Sequence, residues 1–92
     1  MEIVDLLITK AIAEKLARKH NIEGYEVYEA FWNEEDAVRI FRSPRGSGTY
    51  IAFGRTEAGR YLAIPFVPKG KIAHILTTRD MTERERKLYK ER

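Results

Sequence analysis

The chain has no cysteine among its 92 residues, which excludes disulfides and thiolate metal sites. It has no apolar run longer than a few residues, far short of the ~20 that a membrane-spanning helix needs. Met1 to Leu7 carries Glu2 and Asp5 and no basic n-region, so it does not read as a signal peptide. A cytoplasmic protein without a membrane partner is the expectation. There is no P-loop, GxGxxG, nucleophile elbow or HExxH, so the common nucleotide, hydrolase and zincin chemistries lack their motifs. His20 and His74 stand far apart without ligand-spaced carboxylates, and no metal is expected at either.

What is present bounds a single domain over residues 1–92. An apolar fraction of 43% is enough for a core. Charge is unevenly spread. Residues 1–38 hold nine acids and four bases, whereas residues 39–71 hold seven bases and one acid. A basic middle beside an acidic first third suits an anionic partner at one face, or solvated strand ends and turns.

Two periods divide the chain. Residues 9–20 read as a helix capped by Thr9, with Ile8, Ile12 and Leu16 in one stripe and Asn21 as a left-handed stop. A second helix is expected over 24–32, through Val27 with Phe31 and Tyr28 with Trp32. A strand at Tyr25–Ala30 is the competing reading, because Tyr and Val favour sheet. Strands are expected at 37–42, 49–54, 60–67 and 72–79, joined by Gly- and Pro-bearing turns. Pro65 lacks a donor and calls for an edge or a bulge. Thr82 and Glu85 form a T-x-x-E capping box opening a last helix over 82–92. That helix has few apolar residues and is expected to dock loosely or against a partner. The fold class is α+β: two N-terminal helices, a four-stranded antiparallel meander with helices on one face, and a C-terminal helix.

Several side chains are candidates for chemistry. Antiparallel order can bring Arg55 and Arg79 to one surface, where guanidinium forks suit a phosphodiester. Tyr50, Tyr61 and Tyr89 can stack unpaired bases, or pack across strands. His74 is open between a satisfied strand residue and an acid or base. His20 ends a helix, where a charged ring suits the dipole.

The segment Thr77-Thr-Arg-Asp-Met-Thr-Glu-Arg-Glu-Arg-Lys-Leu-Tyr89 is the most specific. Its strand-ending Arg79, followed by Met81-Thr82, Glu85-Arg86 and Tyr89, resembles the BrnT family of type II toxins, which share the RelE-like ribonuclease fold. Lys19-His20 before an apolar residue and an acidic-aromatic helix resembles that family's Lys-His-Gly-Val segment. Ala52 to Leu62 resembles its Gly-Arg…Gly-Arg-x-Leu hairpin. Asn21 stands in place of a glycine, and Asp80 in place of a second base. The resemblance implies an endoribonuclease that cleaves RNA by 2′-hydroxyl attack, with no metal or other cofactor. It implies Arg55, Arg79, Glu85 and Arg86 as catalytic residues. Arg60, Tyr50, Tyr61, His74 and Tyr89 are then expected beside the substrate. The implied partners are RNA and a small ribbon-helix-helix antitoxin, with DNA reached only through that antitoxin. The alternative is a catalytically inactive module of the same fold that binds RNA or a protein partner.

Overall fold

Thr9 opens the first helix by accepting from the Ile12 N–H at 3.2 Å, as its hydroxyl allows. The computed structural model describes residues 1–44, 46 and 48–91. Helix α1 is regular over Lys10–Lys15 and widens into a π-helical turn over Leu16–His20. Asn21 ends it at φ 54°, and the Ile22 N–H reaches back to the Leu16 carbonyl at 3.0 Å. The expected stripe is in place: Leu16 is fully buried, with Ile8 and Ile12 packed at the rim of the core. Helix α2 covers Gly24–Phe31, and Val27, Ala30 and Phe31 form its buried side. The helical reading of this segment holds against the strand alternative, because its apolar side chains repeat at helical and not at alternate spacing.

The sheet differs from the four-stranded antiparallel meander. Strands β1 (Asp5–Leu7), β2 (Arg39–Arg42), β3 (Tyr50–Arg55), β4 (Tyr61–Lys69), β5 (Ile72–Ile75) and β6 (Arg79–Asp80) form one mixed sheet. Its path is β1-β5-β4-β3-β2, and β6 pairs with β4 beyond the end of β5. β1 lies parallel to β5, with Leu6 beside Ala73. Three residues with one buried side chain gave no period to read, so this strand was absent from the sequence expectation.

The expected strand over 72–79 is broken. Phe66 pairs with Ile75, but Ala63 pairs with Arg79, so Leu76–Thr78 hold one residue more than Ile64 and Pro65 opposite them. This is a bulge in the sense expected of Pro65, which has no N–H for the neighbouring strand. Its carbonyl still accepts from the Leu76 N–H at 3.0 Å.

Helices cover both faces of the sheet, not one. Ala52, Leu62, Ile64, Phe66, Ala73 and Ile75 face α1 and α2. Phe53 and Ala63 face the other way and pack with Met81 and Tyr89. These last two belong to the segment ending in α3 (Glu83–Lys90). Alternation along β3 and β4 produces two apolar faces, and each needs a cover. α3 is seated firmly, contrary to expectation. Tyr89 is buried, and its hydroxyl donates to the Asp36 and Ala37 carbonyls. Arg39 closes the C-terminal end by donating to the carbonyls of Leu88 and Glu91.

The turn expected over 43–48 includes Arg45 and Ser47, and the expected last helix includes Arg92; these three lie outside the described residues. Among the described residues, no helix is long and apolar enough to cross a membrane.

Candidate nucleic-acid interface

The bulge positions the first candidate side chain. Because Arg79 stands opposite Ala63, it emerges on the α3 side of the sheet. α3 opens immediately beyond it with the expected capping box. Thr82 accepts from the Glu85 N–H at 3.2 Å, and Glu85 accepts from the Thr82 N–H at 2.9 Å. The same carboxylate takes both forks of Arg79, at 2.6 and 2.8 Å. The Arg79 hydrogen bonds and the helix cap hold the Glu85 carboxyl below its ordinary value, against the opposing effect of burial. The Arg79 guanidinium is raised by the same pair.

The second feature is a ring surrounded by cations. Tyr61 begins β4, with its ring edge-on to Tyr89 at 6.1 Å. The guanidinium of Arg86 lies 4.4 Å from its centroid, that of Arg55 4.9 Å, and the Lys90 ammonium 5.1 Å. Such contacts are attractive through the ring quadrupole. Arg55 ends β3 and is steered by two further contacts, to the Gly59 carbonyl at 3.4 Å and to Asp36 at 3.5 Å. Gly59 holds φ +97°, a left-handed conformation that glycine adopts without steric cost.

Arg55, Arg79, Glu85 and Arg86 thus share the α3 side, with Tyr61 and Tyr89. The other candidates lie elsewhere. Arg60 points to the opposite side and ties the helical layer to β6. It donates to Asp80 at 2.7 and 3.1 Å, to the His20 carbonyl at 3.0 Å and to the Asn21 carbonyl at 2.8 Å. Asp80, in the place of a second base, is therefore the partner of Arg60, which lowers the Asp80 carboxyl by hydrogen bonding. Tyr50 stacks on Phe66 at 5.9 Å against the main core. His74 pairs with Val67, four residues along β4 from the position opposite Arg79, or roughly 13 Å of strand. Arg39 and Lys90 were not singled out in the sequence, although both belong to this surface. Only the packing of α3 on β2 and β4 brings them there. The spacing of Arg86 and Lys90 at i, i+4 was the available signal.

Two grooves meet at Arg55. One, of about 520 Å³, runs by Arg39, Tyr61 and Lys90. The other, of about 780 Å³, runs by Trp32, Glu34, Glu35 and Glu57. The second has Arg55 as its one base among five acids, whereas the first sets Arg39, Arg55 and Lys90 against Glu35, Asp36 and Glu91 and is the less hostile of the two to an anion. Among the described residues, no three His, Asp or Glu side chains converge as a metal site.

No family model matches the chain, and no curated protein matches its sequence. Among solved structures, it is similar to the crystal structure of the Brucella abortus ribonuclease toxin BrnT. The TM-score is 0.63 at 18% identity, over 90% of this chain and 99% of that one. Three helices on a mixed sheet in this order therefore make an α+β fold similar to that of BrnT.

Proposed function

We propose that this protein is an endoribonuclease toxin that cleaves RNA by attack of the neighbouring 2′-hydroxyl, without a metal. The observation that carries the reading is Arg79 and Glu85 joined at the mouth of a cationic surface, on a fold similar to that of a ribonuclease toxin. The 2′-oxygen attacks phosphorus and expels the 5′-oxygen, leaving a 2′,3′-cyclic phosphate. The reaction needs a base at the 2′-oxygen, an acid at the 5′-oxygen and positive charge on the dianionic phosphorane. Arg79 supplies that charge, supported by Arg55 and Arg86. Glu85 is the base. Its low pKa keeps it ionised at neutral pH but makes it a weak acceptor while Arg79 holds it. When a phosphate draws the Arg79 fork away, the carboxylate loses its strongest acidifying contact and becomes a better base. The protein partner of this reading is a small ribbon-helix-helix antitoxin covering the same face, and DNA is reached through it.

Cleavage of a single-stranded RNA in EDTA tests the reading. Products should end in a cyclic or 3′-phosphate, and a 2′-deoxy sugar at the cut site should stop the reaction. Arg79→Ala should lower the rate by roughly 10²–10³. Cleavage that survives the 2′-deoxy substitution would exclude the mechanism.

One observation favours the alternative of a non-catalytic module that binds RNA. Arg79 is already satisfied by a carboxylate. RNA binding without cleavage would decide for it.

A further inference from the structure

We propose that Arg55, Arg86 and Lys90, gathered on the ring of Tyr61, form a phosphate subsite that grips the RNA backbone next to Arg79. Tyr61 acts in it as a positioning residue and not as a platform for a base. The proposal deepens the ribonuclease reading and rests on it for the use to which the bound RNA is put.

The electrostatics carry the argument. Three cations lie within 5.1 Å of one centroid, so any two are no farther apart than about 10 Å, a Debye length at 0.1 M salt. They repel one another. Arg86 and Lys90 are also i, i+4 on α3, where like charges oppose the helix. Arg55 has Asp36 at 3.5 Å, but among the described residues neither Arg86 nor Lys90 pairs with a carboxylate. The ring attracts each cation without cancelling its charge. A bound polyanion would cancel it. Arg79 differs, because Glu85 already neutralises it through two hydrogen bonds. The unliganded molecule therefore meets a polyanion first at Tyr61.

The chemistry selects a phosphodiester chain. Two guanidinium forks and an ammonium match clustered phosphate oxygens. The register adds direction. Tyr61 stands two residues before Ala63, the partner of Arg79, a separation of about 7 Å along β4. A backbone running along this strand meets the Tyr61 cluster and Arg79 in succession. The ring that would stack a base is already occupied by cations.

The test uses a fluorescein-labelled single-stranded 2′-O-methyl RNA decamer, which cannot be cut by 2′-hydroxyl attack. Its binding is measured by anisotropy over a range of KCl concentrations. Lys90→Gln and Arg86→Gln should each weaken binding and each reduce the salt slope by about 0.7, the value for one single-strand phosphate contact. Tyr61→Leu should weaken binding as much as the Arg86→Gln/Lys90→Gln pair, and add little on top of it. Tyr61→Phe should bind like the parent. The two charge variants lie at exposed positions of α3 and carry the test if Tyr61→Leu does not fold. An unchanged affinity and slope in both charge variants would overturn the proposal, as would equal binding by Tyr61→Leu and Tyr61→Phe. An unmodified RNA of the same sequence separates the two readings. Lys90-dependent binding without cleavage keeps the subsite and sinks the ribonuclease. Cleavage with binding that ignores Lys90 and Arg86 does the reverse.

Discussion

Glu85 performs two tasks with one carboxylate: it caps α3 through the Thr82 N–H and receives the fork of Arg79. Both favour the ionised form, so its pKa is lower in the folded chain than the ordinary 4.5. A depressed carboxyl contributes stability above its unfolded value and loses that contribution as pH falls through its folded value. The protein should therefore become easier to melt as pH drops below about 4.5. Asp80 adds a similar but weaker dependence, since its carboxylate is mostly exposed. Glu85→Gln keeps an oxygen for the Thr82 N–H and removes the charge. Melting temperatures between pH 7 and pH 3 should show a flatter profile in this variant, with lower stability at neutral pH. A profile parallel to the parent's would mean that the Arg79 pair contributes nothing in solution. The amide cannot take a proton from a 2′-hydroxyl, so cleavage at pH 7 should also fall if Glu85 is the base.

At the scale of elements, α2 approaches β3 so closely at Gly54 that no side chain fits at that position. A Cβ on Gly54 would stand 2.3 Å from the Ala30 carbonyl oxygen. Gly54→Ala must push the helix off the sheet, and overpacking of this kind typically costs about 1–3 kcal/mol. Urea denaturation should register that loss, and a change under about 0.5 kcal/mol would show that α2 shifts freely. Much at this scale was legible in the sequence. The Ile8, Ile12 and Leu16 stripe, the Asn21 stop, the Thr82–Glu85 box and the alternation of β3 and β4 are local patterns with local causes. What escaped was non-local. β1 is defined by its pairing with β5. The seat of α3 depends on Tyr89 reaching Asp36 and Ala37, more than fifty residues away. The site divides in the same way. Arg55, Arg79, Glu85 and Arg86 stand in recognisable segments, and the structure brings them to one side. Lys90 joins through tertiary packing, while Arg60 is drawn off by Asp80.

For the molecule as a whole, the excess of acids in residues 1–38 and of bases beyond them becomes a spatial division at the Arg55–Asp36 pair. The acidic groove lies on one side and the Tyr61 cluster on the other. The cationic side depends on a count as well as on composition. One surplus residue in Leu76–Thr78 sets Arg79 opposite Ala63. Without it the ladder would continue from Phe66 and Ile75 to place Arg79 opposite Leu62, which is wholly buried against the helices. A guanidinium cannot be held there without a partner. Substitution and deletion should therefore have opposite consequences in this stretch. Leu76→Ser, at a side chain 43% exposed, should leave thermal unfolding nearly unchanged, whereas removal of Thr77 should abolish the cooperative transition in circular dichroism. In an inherited sequence, the spacer before Arg79 would then vary in spelling at exposed Leu76, keep a small side chain at fully buried Thr78, and hold its length throughout.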